Sequence, residues 1–371
     1  MELIDKNNLR ELKRIILFKK YKKILIVAGS TSFFTSKANI IIDKITPEKK
    51  TLIFFKKKKL PEIDELLSLI KIIKNFNPNL IIAIGGGAVL DLAKVANSLV
   101  FENNIKKNII KNTYTTKNFC DLFAIPMTAG TGAEVTTNAV IYINNKKYSV
   151  EGKLIKPNHM ALLPELIVRN RKKNIINSSA FDCFAQSVES MFSKRSNQTS
   201  VNFSKKSIKI FLENYKEFIK NRSINKAYSM CLASYYSGKA ISISKTIAPH
   251  AISYPFTSYF NVDHGHAVSL TFDSFLEHNF NNIEYSTSNF DLKKRYKILF
   301  NLLDVKNILE LVEKIKIIKR DLSLESKLSI INSKIPKNLN LVVKDVNLQR
   351  LNNNPIDIQK KDILNILNKI S

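Results

Sequence analysis

Three of the five histidines in this chain of 371 residues, His250, His264 and His266, fall within seventeen positions of one another. Upstream, the stretch Phe181-Asp182-Cys183-Phe184-Ala185-Gln186-Ser187-Val188-Glu189-Ser190 sets Asp182 and Gln186 four apart, a spacing that puts both on one face of a helix. One carboxylate with two or three imidazoles suits a divalent ion such as Zn²⁺ or Fe²⁺. Each residue also has a plainer meaning. A buried histidine is often a satisfied core residue, and aspartate is a common helix N-cap. Spacing alone does not assemble these groups in space.

A second chemistry lies in bare backbone. Leu80 to Ile84 is an uninterrupted apolar run, the pattern of a strand buried on both faces of a parallel sheet. Gly85-Gly86-Gly87 follows, and Ala88 to Val95 then carries a mostly apolar helix. A strand, a glycine turn and a helix N-terminus together offer unpaired N–H groups and a positive dipole end to a phosphate. Any α/β sheet also uses tight glycine turns, but this chain has only nine glycines, so three together favour a ligand. Two more glycines stand among threonines in Met127-Thr128-Ala129-Gly130-Thr131-Gly132-Ala133-Glu134-Val135-Thr136. The two loops suggest closure on one dinucleotide.

The elements that must hold these loops read as alternating strand and helix. Residues 22–28 form a first buried strand, and Gly29-Ser30-Thr31-Ser32 a small-residue turn suited to a nucleotide. Residues 51–55 form a second strand, and Ile63 to Phe76 has helical spacing. Phe123 to Pro126 is a further strand, and Asn144-Asn145 joins a hairpin between Val140–Ile143 and Tyr148–Val150. This alternation predicts a parallel, Rossmann-like sheet covered on both faces. From about residue 175 the chain reads as successive helices. The expected domains are an α/β dinucleotide-binding domain over 1–167 and an all-α domain over 168–371, which carries the metal and substrate residues.

Length supports two domains, since single cores stop growing beyond about 250–300 residues. At 44% hydrophobic and 24% charged, the composition is that of an ordinary globular protein. The charged start Met1-Glu2-Leu3-Ile4-Asp5-Lys6 lacks the apolar core of a signal peptide, and no charge-free run is long enough to span a membrane. Three scattered cysteines suit a reducing cytoplasm. The net charge of +28 invites a nucleic-acid reading, but the lysines are spread along the chain without an aromatic-interleaved basic motif. The expectation is therefore no nucleic acid and no membrane, with an anionic small molecule as the simpler use of that field.

In order and separation, four blocks resemble the iron-containing (group III) alcohol dehydrogenase family. They are Gly85 to Lys94, Ala129 to Thr136, Asp182, and His250 with His264-Gly265. The resemblance implies the dehydroquinate-synthase-like, group III architecture and an NAD(P)-dependent reduction of a small aldehyde. Residue by residue, Gly86, Gly87 and Ala88 match the pyrophosphate loop, with Asp91 in the same block. Thr128 and Thr131 match a second cofactor loop, and Lys147 a lysine near the nicotinamide ribose. Asp182, His250 and His264 match metal ligands.

Two positions depart from the family. Gln186 stands where a histidine ligand is usual, which leaves it a weak or absent fourth donor. Tyr254 stands where many members have a histidine near the substrate, and counts with Asp182, His250 and His264 as a catalytic candidate. Many members also carry an aspartate after the first strand. Gly29 and Ser30 occupy that place here without negative charge, so NADPH is expected to serve at least as well as NADH. The Lys147-Tyr148-Ser149, Asp182–Ser190 and His250–Pro255 segments further resemble the branch containing phosphonoacetaldehyde reductases. The substrate implied is then an anionic aldehyde, with Lys194, Arg195, Lys245, Ser253 and Tyr254 as candidate partners. A homodimer is compatible with the resemblance. The competing readings are a general alcohol dehydrogenase on uncharged substrates, a dehydroquinate-synthase-like lyase, and a basic scaffold with a vestigial site.

Overall fold

A computed structural model describes residues 1–5, 8–18, 21–169, 172–335, 339–346 and 348–371. The chain divides into two compact units, one from residues 1–171 with 222–232 and the other from 172–221 with 233–371. The first unit contains β1 (Glu2–Leu3), α1 (Leu9–Phe18), β2 (Lys23–Gly29), α2 (Ser32–Thr35), α3 (Ala38–Ile45) and β3 (Lys50–Lys56). It continues with α4 (Ile63–Phe76), β4 (Leu80–Gly85), α5 (Gly87–Ser98), α6 (Ile105–Lys111), β5 (Asp121–Pro126), β6 (Asn138–Ile143), β7 (Lys146–Glu151), β8 (His159–Ala161) and α7 (Pro164–Val168).

Six strands form a parallel sheet in the order β1-β8-β5-β4-β2-β3. All six residues of β4 are buried because β2 and β5 flank it and helices cover the sheet, so its sequence is apolar without alternation. The helix expected over Ile63–Phe76 is α4, which buries Ile63, Leu66, Leu69, Ile70 and Ile73, one face at helical spacing. The hairpin is present as β6 and β7 in antiparallel register. Asn144 and Asn145 take φ of 51° and 61°, the double left-handed turn that asparagine tolerates and that matches strand twist.

The second unit is helical: α8 (Lys173–Phe192), α9 (Gln198–Lys220), α10 (Ile224–Ser244, whose first turns belong to the other unit), α11 (Ala248–Phe260), α12 (His264–Asn281), α13 (Leu292–Leu303) and α14 (Ile308–Asp321). The short helices α15 (Leu328–Ile331), α16 (Leu339–Lys344), α17 (Leu348–Leu351) and α18 (Lys360–Lys369) close the chain. Helix α8 is its axis. Nearly every residue from Ile176 to Phe192 is buried, and it packs against both α9 and α12. A helix buried all round has no polar stripe, so its polar residues must find partners inside. Among the described residues no helix is long and apolar enough to cross a membrane.

Candidate metal centre and cofactor loops

Asp182 lies in the middle of α8, 2% exposed, which rules out the N-cap reading. Its neighbours come from two other helices. His250 sits in the first turn of α11, just after Pro249, whose missing N–H costs nothing there. His264 is the first residue of α12. Asp182 Oδ1 is 3.2 Å from His250 Nε2 and 3.9 Å from His264 Nε2. One ligand atom from each of the three lies within 4.8 Å of the others. Donors about 2.0–2.2 Å from a tetrahedral ion stand about 3.3–3.6 Å apart, so this hard-and-imidazole set fits one divalent ion.

Gly265 makes the convergence possible. A Cβ there would come within 1.9 Å of the Ser178 carbonyl oxygen on α8, so only glycine lets the start of α12 approach closely enough to set His264 beside Asp182.

Gln186 is hydrogen-bonded beside the three. Its amide nitrogen donates to Asp182 Oδ2 at 2.9 Å, and its carbonyl oxygen accepts from the Ser237 hydroxyl at 3.0 Å. His266 also lies apart, its Nε2 bonded to the Glu325 carbonyl at 2.7 Å. A carboxylate that spacing did not single out stands behind the site. Glu189, fully buried, meets His250 Nδ1 at 2.6 Å. Its place seven residues after Asp182 is the signal that could have found it. Burial opposes charge on His250, yet the flanking Glu189 and Asp182 raise its pKa to about 9. Burial likewise opposes charge on Asp182, and the bond with His250 together with His264 and Gln186 holds its carboxyl below the usual range.

Tyr254, 8% exposed, lies on α11 one turn beyond His250, its ring stacked on His264 with centroids 6.2 Å apart. Its hydroxyl meets the guanidinium of Arg350 on α17, and that arginine is only 7% exposed. Of the other candidate anion partners, Lys194 pairs with Asp357 at 2.9 Å, Arg195 is exposed, and the Ser253 hydroxyl donates to the His250 carbonyl at 2.8 Å. Lys245 is buried at the end of α10, with φ of 64°.

In the first unit, Gly86 caps α5 and Gly87 begins it. A Cβ on Gly87 would meet Thr131 at 2.9 Å, which brings the two glycine loops side by side; one on Gly86 would meet Thr128 no closer than 3.6 Å. Ala88 follows inside the first turn of α5, where backbone N–H groups lack helical partners. Gly29 ends β2, where a Cβ would crowd Ser32 Oγ at 2.6 Å, and the exposed Ser30 bonds through its N–H to the Lys56 carbonyl at 3.2 Å.

Asp91 faces inward to the protein. One oxygen accepts the Val140 N–H at 2.9 Å and the other stands 3.5 Å from Lys94 Nζ. Lys147, on β7, is near enough to bias the Asp91 charge. Lys94 is wholly buried and donates to the Ala133 and Asn138 carbonyls and to Thr136 Oγ1 at 2.7–2.9 Å. That ammonium pins the second glycine loop to α5, a role the sequence reading did not anticipate.

Residues 3–167 match the iron-containing alcohol dehydrogenase family, and residues 176–371 match the Fe-containing alcohol dehydrogenase family, C-terminal. The phosphonoacetaldehyde reductase of Streptomyces viridochromogenes is 28% identical over 227 residues, 58% of this chain and 57% of that protein. The 4-hydroxybutyrate dehydrogenase of Clostridium kluyveri is 28% identical over 220 residues, 56% of this chain and 57% of that protein. The matches thus span little more than half the length of these curated relatives. In fold, the sulfoacetaldehyde reductase of Bifidobacterium kashiwanohense, solved in complex with NAD⁺, superposes with a TM-score of 0.87 over 100% of this chain and 96% of that one, at 21% identity. The two family matches cover both units and bracket both glycine loops and the Asp182, His250 and His264 cluster. This chain belongs to the iron-containing alcohol dehydrogenase family.

Proposed function

We propose that this protein is an NAD(P)H-dependent oxidoreductase that reduces a small anionic aldehyde to its alcohol, with phosphonoacetaldehyde to 2-hydroxyethylphosphonate, a step of phosphonate biosynthesis, as the reaction we favour. The observation that carries the reading is the convergence of Asp182, His250 and His264 from three helices. Those three would hold the divalent ion, Fe²⁺ or Zn²⁺, with Gln186 backing Asp182 from outside. Such an ion supplies Lewis-acid polarisation of a carbonyl oxygen. Aldehyde reduction needs a hydride from reduced nicotinamide and a proton at oxygen. The Tyr254 hydroxyl, beside His264, is the protein group placed to orient that oxygen.

The cofactor reading assigns the pyrophosphate to Gly86, Gly87 and Ala88, with Thr128 and Thr131 on the adjoining loop, Asp91 and Lys94 bracing it, and Lys147 close by. Gly29 and Ser30 leave the adenosine ribose position without a carboxylate, so NADPH serves at least as well as NADH. The boundary between the cofactor and metal halves is placed near residue 167. Free cysteines at 120, 183 and 231 support a reducing, cytoplasmic setting.

The anionic substrate is supported by Arg350. Its buried guanidinium, held at Tyr254, is a permanent cation beside the ring that stacks on His264. A dianionic tail in a dry site is costly unless it meets such a donor. One charge-assisted contact is worth about 1.5–3 kcal/mol, or roughly ten- to a hundredfold in discrimination. Steady-state kinetics on phosphonoacetaldehyde and propanal test this. Arg350→Met should lower kcat/KM for the charged aldehyde by that factor beyond whatever loss it causes on propanal, where only the Tyr254 contact is disturbed. Equal efficiency of the unmodified protein on both aldehydes would return the general alcohol dehydrogenase reading.

A further inference from the structure

Helix α8 carries two further buried polar side chains beside Asp182. Asp182, Gln186 and Glu189 recur at i, i+4 and i+7, all buried, and so lie along one face of the helix. Glu189 is the most completely enclosed of the three, at 0% exposure. A carboxylate so placed must be satisfied by donors.

Both of its oxygens are used on the segment that carries His250. Oε2 accepts the backbone N–H of Ile247, the N-cap residue of α11, at 2.8 Å. Oε1 meets His250 Nδ1 at 2.6 Å. An ionised carboxylate only accepts, so Nδ1 must carry a proton and Nε2 is the nitrogen that faces Asp182 Oδ1, 3.2 Å away. One residue thus sets where α11 begins and which way the imidazole of its first turn points.

We infer that Glu189 is the positioning residue of the metal centre: it orients His250 and selects Nε2 as the ligand atom. The inference rests on the metal reading above. Carboxylates behind histidine ligands fix the tautomer and raise ligand basicity, and their loss typically costs 10- to 100-fold in metal affinity. Glutamine is the informative replacement. It fills the same volume, but its amide accepts one donor and presents an N–H to the other, so the two bonds cannot both survive.

Zn²⁺ affinity of the full chain, measured by competition with a chromophoric chelator, tests this. Glu189→Gln should weaken Zn²⁺ binding roughly 10- to 100-fold, while the melting temperature of the chelator-stripped variant stays near that of the stripped wild type. Wild-type affinity in a folded Glu189→Gln protein overturns the positioning role and leaves the metal reading intact. A wild type that takes up no Zn²⁺ or Fe²⁺ overturns both. A second measurement needs no variant: ¹⁵N spectra of the Zn²⁺-loaded wild type should show His250 protonated at Nδ1, and coordination through Nδ1 overturns the assignment.

Discussion

Two glycines at helix starts, Gly86 before α5 in the first unit and Gly265 at the start of α12 in the second, stand in opposite surroundings. An added Cβ at Gly86 would make only ordinary contact, 3.6 Å from Thr128, whereas one at Gly265 would collide with a backbone carbonyl at 1.9 Å. Packing within the protein explains the second glycine and not the first. The bare backbone at Gly86 is what a ligand would use, and the bare backbone at Gly265 is what another helix uses. The same contrast separates the two units: one sets bare backbone at its glycine loops, and the other gathers a network of buried polar side chains.

The largest effect should come from filling the helix contact. Gly265→Ala is expected to lose about 4 kcal/mol, above the usual overpacking range because the obstructing atom is backbone. Thermal unfolding should show a melting temperature lower by about 10 °C, with weakened metal uptake. An unchanged melting temperature would mean the α8–α12 crossing relaxes freely, and the contrast with Gly86 would collapse.

Removing a side chain from the network is next. Asp182→Ala should abolish stoichiometric metal binding and reduce aldehyde reduction by on the order of 10³-fold, about 4 kcal/mol of barrier. Full activity with no bound metal in this variant would break the side-chain half of the comparison.

Glu134 sharpens the comparison from inside the second glycine loop. Burial pushes its carboxyl up to about 7, against the opposing pull of Lys94. A raised carboxyl favours the protonated folded state, so this stability term is fully present below about pH 4.5 and is lost as pH rises through about 7. Glu134→Gln should therefore be more stable than wild type by about 1–3 kcal/mol at pH 8 and no more stable at pH 4. Denaturant titrations at the two pH values decide it. A difference that does not depend on pH would place the Glu134 carboxylate in water.

The smallest effect is the most diagnostic of a ligand. Gly86→Ala should leave the melting temperature within about 2 °C, since the Cβ has room, yet weaken NADPH binding about tenfold, about 1.4 kcal/mol. Cofactor affinity measured by nucleotide fluorescence titration checks it. Unaltered affinity would make Gly86 an ordinary turn residue.

Much of this protein is written locally. The apolar run of β4, the helical spacing of α4 and the paired asparagines of the β6–β7 hairpin each express a preference of adjacent residues, so their elements were legible from the chain. The two-residue β1 and three-residue β8 were not, because so few residues carry no period. The order of the glycine, aspartate and histidine blocks was likewise enough to point to the family. What only the tertiary structure decided is which polar groups face each other. Glu189 and His250 are 61 residues apart, Ser237 and Gln186 are 51 apart, and Arg350 reaches Tyr254 from the far end of the chain. Lysine is common throughout, so nothing in the sequence marked Lys94 as wholly buried. The meeting of Asp182 with His264 follows from how closely α8 and α12 approach, and the missing Cβ at Gly265 permits that approach, which is a property of packed helices and not of any stretch of sequence.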